Sequence, residues 1–466
     1  MIGGLAAALL PAVEKAGVVW FGCTGRVRRI PAGSTSLVQI ESHGLGTIAM
    51  VDAPEQHYAR YYEGFSNSTL WPLLHSRPEL SVNCPENYAS YCAMNAYMAR
   101  MLVTFGGESS RIWVHDYHFL PLGRELRRLG VAREIGFFLH TPWPTAEIIA
   151  SLPQYRELVD AMLSYDLIGF QTEVDRNNFA DLLRKTFHIH DSGLRFSGRH
   201  GACRLAAFPI GIDAQQFADR AAQAAGDPDV RRLRASIEAS RLVIGVDRID
   251  YSKGLLERIA AFEHLLDRFH RLKRRLSMLQ IAIPSRSNIE PYRHLQRGLA
   301  RAVGEVNAKY GEADWTPIRY LNKGFCQSTL AGFYRSAAVG LVTPLRDGMN
   351  LVCKEYVAAQ DPADPGVLVL SKFAGASQQL SAALQVDPQD TEQVARQIAS
   401  ALMMPLEERR ARWQQMMDGL LQHSIHSWFF DFMRALVAAE REHPSLPAQT
   451  LGVLPSAEQE FAAAHR

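Results

Sequence analysis

The run LVIGVDRIDYSKGLLERIAAFEHLL, residues 242–266, joins a strand, a polar turn and a helix in one unit. Leu242–Val246 is apolar at consecutive positions, the pattern of a strand covered on both faces inside a parallel sheet. The turn Asp247-Arg248-Ile249-Asp250-Tyr251-Ser252-Lys253-Gly254 carries the charge, and Leu255–Leu266 continues as helix. Arg248 and Lys253 stand five residues apart on this strand-to-helix turn. Two fixed cations over a helix start suit a diphosphate, because Coulomb attraction and the helix dipole act in the same direction. The competing reading is a surface Arg and Lys paired with Asp247 and Asp250.

Working outward, the same rhythm recurs. Leu279–Pro284, Ile318–Leu321, Val339–Val342 and Val367–Leu370 are strand candidates separated by helices. Upstream, Val18–Phe21, Ile112–His115, Ile135–Leu139, Leu167–Phe170 and Leu205–Pro209 alternate with helical segments such as Leu120–Leu129 and Thr145–Leu152. Two successive β-α-β sets imply an α/β protein of two doubly wound, Rossmann-like domains, with ligand at the strands' carboxyl ends. Gly226-Asp227-Pro228 is the candidate linker, dividing the chain into 1–228 and 229–423, and 446–466 reads as a flexible tail. A Gly3-Gly4 turn leads into an apolar helix, Leu5 to Lys15.

Strand ends collect the chemistry. Ile112–Val114 runs into His115-Asp116-Tyr117-His118, where Asp116 serves either a site or a helix cap. Ile135–Leu139 delivers His140-Thr141-Pro142-Trp143-Pro144, two prolines holding a Trp as in a pocket wall. Val339–Val342 leads to Thr343-Pro344-Leu345-Arg346-Asp347-Gly348-Met349-Asn350-Leu351. Here Asp347 is expected to cap the next helix, and Gly348 to let backbone N–H groups approach an anion or sugar hydroxyls. A helix beginning near Asp347 would turn Glu355, two turns on, toward the same cleft.

The chain also excludes much. Lys and Arg number 50 against 48 Asp and Glu, a formal charge of +2, which lacks the basic excess of a nucleic-acid binder. The 6 cysteines are scattered without a CxxC pair, as in a reduced cytoplasmic protein without a zinc site. Nothing charged precedes the first apolar run, so a signal peptide is not expected, and no run reaches the ~18 apolar residues of a membrane span. Walker A, G-x-G-x-x-G and H-E-x-x-H patterns are all lacking.

The motifs WVHDYHFLPL (113–122), IGFFLHTPWP (135–144), DLIGFQT (166–172), GVDRIDYSKG (245–254) and TPLRDGMNLVCKEYVAAQ (343–360) resemble those of the retaining glycosyltransferases that make trehalose 6-phosphate. The resemblance spans Gly3-Gly4 to about Trp428. It implies the two-domain GT-B architecture around a central cleft, with a last helix, Ser424–Ala439 within about 424–445, crossing back to the first domain. It further implies transfer of glucose from UDP-glucose to glucose 6-phosphate without a metal or other cofactor, by a homo-oligomer (dimer or tetramer). Carried over by motif, Arg248 and Lys253 would hold the diphosphate and Glu355 the ribose. Asp116, His140, Asp347 and the backbone of Gly348, Met349, Asn350, Leu351 and Val352 would hold the donor glucose, and Gly4 would close over the phosphates. Tyr62 and Trp71, from YYEGFSNSTLWP (61–72), and Arg286 of IPSR would bind the acceptor. Tyr62 and Trp71 also read as core aromatics.

Two departures bear on the acceptor. Members of the family begin with a strand ending in Ser-Asn-Arg, whereas this chain starts after that point, which would leave backbone groups of the first sheet unpaired. Phe21-Gly22-Cys23 also stands where the family has a Trp-containing turn. The base-binding stretch around Phe325–Gln327 does not fix the nucleotide. Two alternatives stay open: another acceptor, such as glycerol 3-phosphate or a cyclitol phosphate, or a non-catalytic paralogue.

Overall fold

The computed structural model describes residue 9, residues 17–31, residue 34 and residues 36–440, except 107–109, 199–200 and 239. Gly4, the helix expected over Leu5–Lys15 apart from Leu9, and the tail 446–466 lie outside the described residues. Three sheets form the frame. Strands β1 (Val19–Arg28), β2 (Val38–His43) and β3 (Gly46–Pro54) are ordered β1-β3-β2, with β1–β3 parallel and β2–β3 an antiparallel hairpin. Strands β4 (Ile112–His115), β5 (Ile135–Leu139), β6 (Leu167–Phe170), β7 (Arg195–Gly198) and β8 (Gly201–Ala207) follow the order β4-β5-β6-β8-β7. Only the β7–β8 pair of this sheet is antiparallel. Strands β9 (Arg241–Arg248), β10 (Leu276–Ile283), β11 (Ile318–Leu321), β12 (Val339–Val342), β13 (Val367–Ser371) and β14 (Leu384–Val386) make a parallel sheet, β11-β10-β9-β12-β13-β14.

The apolar runs are strands because both faces are covered: every residue of β5, β6 and β12 is buried. The strands of the first half divide between two sheets, with β1 and β4 as end members among the described residues. The run expected over Leu205–Pro209 begins earlier and stops at Ala207, where β8 leaves its partners.

Five helices matter for the site: α1 (Ala214–Gln223), α2 (Leu255–Arg268), α3 (Gln327–Ser336), α4 (Leu351–Ala359) and α5 (Ile425–Glu440). α1 packs on α3 and α4. α5 packs on the five-stranded sheet. Phe432 stacks on Trp113 with centroids 4.1 Å apart, and Trp428 Nε1 donates to Phe208 O at 3.1 Å. The ring of Phe432 lies where a Cβ on Gly136 or Gly169 would come within 2.7 or 2.9 Å of it. One continuous apolar core therefore runs from Phe138 and Leu167 through Leu436 to Ile244 and Leu279, tying the two parallel sheets together.

Candidate functional site

The turn after β9 sorts its charges sharply. Asp247 pairs with the fully buried Arg258 at 2.6 Å, and Asp250 with Arg286 at 3.1 Å. Neither carboxylate takes Arg248 or Lys253, so the surface-pairing reading does not hold. Arg248 is exposed, its guanidinium 5.8 Å from the Trp71 ring centroid, while Lys253 Nζ reaches Asp347 Oδ2 at 2.5 Å. Burial alone would raise the Asp347 pKa. The Lys253 ammonium outweighs it, with further help from Asn350 Nδ2 at 3.0 Å, and holds the carboxyl below its ordinary range.

The expected cap is corrected here. Asn350, at φ +73°, caps α4 and accepts from Cys353 N at 3.3 Å, so the helix begins at Leu351 and Asp347 precedes it in the loop. Asp347 is thereby freed for Lys253. Glu355 is one turn into the helix, beside Gln327 and Tyr334 of α3, and burial pushes its carboxyl up to about 7. Arg220 of α1 donates to Gln327 Oε1. Met349 is buried in the core, its carbonyl accepting from Ala376 N at 2.9 Å, and Leu351 and Val352 are half-buried at the helix start.

Gly348 presses this loop against the other half of the molecule: a Cβ there would meet His140 O at 2.1 Å. Asp116, at φ +74°, does not cap a helix with its side chain; its Oδ1 accepts from His140 N at 3.3 Å. Burial pushes the Asp116 carboxyl up to about 6. The His140 ring lies between His115 Nδ1, 3.1 Å from Nε2, and Gln171 Nε2, 3.3 Å from Nδ1. Burial depresses both imidazoles, His115 to about 3 and His140 well below its ordinary value. Trp143, expected to wall a pocket, is a core residue packed edge-on against Phe179, because the prolines turn it inward; Pro142 lines the cleft instead. That cleft holds a cavity of about 160 Å³ between Pro142, Thr172 and Asp175 on one side and Arg346, Asp347 and Gly375 on the other.

The acceptor candidates stand on a π-helix, Arg60–Leu70, that runs directly into Trp71. Such wide turns recur at functional sites. Trp71 is buried yet not merely core: the Arg286 guanidinium lies 3.9 Å from its ring centroid, and its Nε1 donates to Asp250 Oδ1 at 3.3 Å. Arg286 also donates to Tyr292 OH at 2.6 Å and Tyr117 OH at 3.0 Å, leaving its buried Nε without a partner. Tyr117 OH donates to Asn67 Oδ1 at 2.8 Å. Tyr62 stacks on His118 at 5.7 Å, His118 lies tilted against Tyr117 at 4.1 Å, and Tyr117 against Trp71 at 5.4 Å, so Tyr62 joins Trp71 through a ladder of rings. Cys23 turns toward Met98 Sδ at 3.7 Å, and burial pushes its thiol up to about 12.

Sequence reasoning assigned no role to Tyr117, Asn67, His75 or Gln171. His75, buried against Trp71 with ring centroids 4.1 Å apart, lies near both Asp250 and Asp347. Tyr117, Gln171 and Asn67 stood inside the quoted stretches 113–122, 166–172 and 61–72, whereas His75 stood in none. Among the described residues no group of three or more His, Cys, Asp or Glu is placed to hold a metal ion, and no helix is long and apolar enough to cross a membrane.

The trehalose-6-phosphate synthase of Sinorhizobium fredii is 44% identical over 442 residues, covering 94% of each chain. An α,α-trehalose-phosphate synthase (UDP-forming) from Burkholderia xenovorans, solved in complex with glucose-6-phosphate, superimposes with a TM-score of 0.90 at 42% identity over 93% of this chain and 97% of that one. The E. coli protein bound with UDP-2-fluoro glucose gives a TM-score of 0.87 at 40% identity, over 93% of this chain and 96% of that one. With the glycosyltransferase family 20 model also matching residues 1–438, the paired sheets, the returning helix and the cation-lined cleft have one common explanation: the chain belongs to glycosyltransferase family 20 and has its GT-B fold.

Proposed function

We propose that the chain transfers glucose from UDP-glucose to glucose 6-phosphate with retention at the anomeric carbon, giving α,α-trehalose 6-phosphate and UDP. The observation that supports this most is the 5.8 Å between the Arg248 guanidinium and the Trp71 ring, a separation that would suit a cation for the diphosphate beside an acceptor residue. A front-face displacement needs that juxtaposition: the leaving phosphate is then near the incoming hydroxyl and takes its proton. Arg248 and Lys253 stabilise the charge that develops on the departing diphosphate, in a cleft where preorganised cations act more strongly than in water. This is the task a metal performs elsewhere, and metal independence is part of the proposal, to be checked by activity in EDTA.

In this reading Asp347, His140, Asp116 and the loop Gly348–Val352 hold the donor glucose, Glu355 the ribose, and Gly4 closes over the phosphates. Tyr62, Trp71 and Arg286 hold the acceptor, with Arg286 Nε as the donor left for its phosphate. Asp116 has no covalent role. The division at 228/229 with the helix of 424–445 returned, a cytoplasmic location and a dimer or tetramer complete the proposal. Incubation with UDP-glucose and a panel of phosphorylated acceptors, with NMR identification of the products, tests it. Trehalose 6-phosphate and UDP in equal amounts are expected; turnover on a different acceptor alone would refute it.

A further inference from the structure

We propose that Gln171 is a positioning residue that holds His140 as its Nε2–H tautomer, and that α4 anchors it through the Ile210 peptide and Lys354. The inference rests on the reading of His140 as a donor-glucose contact. Gln171 follows β6 directly and is 2% exposed. Its Oε1 accepts from Ile210 N at 3.0 Å. A backbone N–H can only donate, so the carboxamide cannot be turned round, and its Nε2 faces His140 Nδ1 at 3.3 Å. That nitrogen also has only hydrogens to offer. His140 Nδ1 must therefore present a lone pair, and the proton of the neutral ring resides on Nε2.

The opposite side of the ring fits the same assignment. His140 Nε2 lies 3.1 Å from His115 Nδ1, which accepts its proton. Burial keeps both rings neutral, so neither competes for that role as an imidazolium. A sugar oxygen arriving at His140 then meets a hydrogen-bond donor, taken over from His115, and never a lone pair.

The Ile210 peptide is pinned from its other end. Ile210 O accepts from Lys354 Nζ at 2.6 Å, and Lys354, fully buried on α4, also donates to Gln379 Oε1 at 2.6 Å. α4 is the helix that begins at the Asp347–Asn350 loop. A chain of hydrogen bonds thus leads from that loop's helix through Lys354, the Ile210 peptide and Gln171 to the His140 ring. The loop and the imidazole are set by one linked device, although they belong to different sheets.

The test uses the full chain labelled with ¹⁵N-histidine and long-range ¹H–¹⁵N correlation, with His140 assigned by its loss in His140→Asn. The wild type is expected to show a protonated Nε2 and a bare Nδ1 at His140. In Gln171→Glu the oxygen facing Ile210 is retained, but the other atom becomes an acceptor. The proton should move to Nδ1, with kcat falling about tenfold or more, as for supports of ligating histidines, and the KM for glucose 6-phosphate nearly unchanged. A wild-type spectrum with Nδ1 protonated overturns the proposal without any variant, and so does Gln171→Glu with an unaltered tautomer. A switched tautomer with unaltered kcat would leave the tautomer assignment standing and overturn instead the reading of His140 as a sugar contact.

Discussion

Gly348→Ala tests the closure of the cleft with a single carbon atom. The added Cβ would stand 2.1 Å from His140 O and 3.1 Å from the His140 and Thr141 carbonyl carbons, against the 3.4 Å where ordinary contact begins. Because φ at Gly348 is not positive, alanine meets no backbone penalty there, and the whole effect is steric. The neighbour is backbone at the end of a buried strand, so the loop Asp347–Asn350 must retreat by about 1.3 Å, and a displacement of about 1 Å costs on the order of 100-fold in rate. Since Asp347 is held from the same loop, the loss should appear mainly in kcat. Steady-state kinetics with UDP-glucose and glucose 6-phosphate measures it, with Gly298→Ala, where a Cβ meets nothing within 4 Å, as the control. A Gly348→Ala enzyme with wild-type kcat would refute the view that this loop and His140 must touch for transfer to occur.

Lys253→Ala removes the 2.5 Å partner of the buried Asp347 carboxylate as well as a diphosphate cation, so kcat should fall roughly 10²–10³-fold and the melting temperature should drop with it, checked by kinetics and thermal unfolding. Arg286→Lys keeps the charge but loses the planar fork shared by Asp250, Tyr117 and Tyr292. One lost charge-assisted hydrogen bond, about 1.5–3 kcal/mol, should raise the KM for glucose 6-phosphate roughly ten- to a hundredfold and leave that for UDP-glucose nearly constant. Glu355 has a carboxyl raised from 4.5 to about 7, so its folded state favours the proton. The stability it contributes is present at pH 4.5 and lost as the pH rises through 7, and Glu355→Gln should flatten that part of the melting-temperature profile of the free protein. UDP binding, measured by calorimetry, should strengthen across the same interval in the wild type, where the carboxylate forms to accept the ribose hydroxyls.

What the sequence made legible follows from burial. β5, β6 and β12 begin and end where their apolar runs do, because every residue of each is buried and no solvent face blurs the pattern. The hairpin β2–β3 escaped notice, since β2 has no buried residue and no alternation, its half-buried and exposed positions falling in blocks, and only Gly44, at φ +59°, marks its turn. The π-helix Arg60–Leu70 left no periodic signal, and with it went the approach of Asn67 to Tyr117. Cations were easy to read and their partners were not. Arg248 and Lys253 announce a phosphate by spacing alone, but that Asp250 belongs to Arg286 and Asp347 to Lys253 depends on strands 36 and 94 residues distant along the chain. The same holds for Asn350: it caps α4, while Asp347, the expected cap, is held by Lys253.

The return of α5 sets a schedule for the newborn chain. β5 and β6 leave the ribosome early, but the faces of Gly136 and Gly169 are covered by Phe432, which is made near the end. At about 5–20 residues per second, the interval between Gly169 and Phe432 is roughly 13–50 s, during which that apolar surface has no cover of its own. The first sheet must wait for the second half to be synthesised and for the last helix to swing back. Nascent chains halted before residue 425 should accordingly recruit chaperones that completed chains do not.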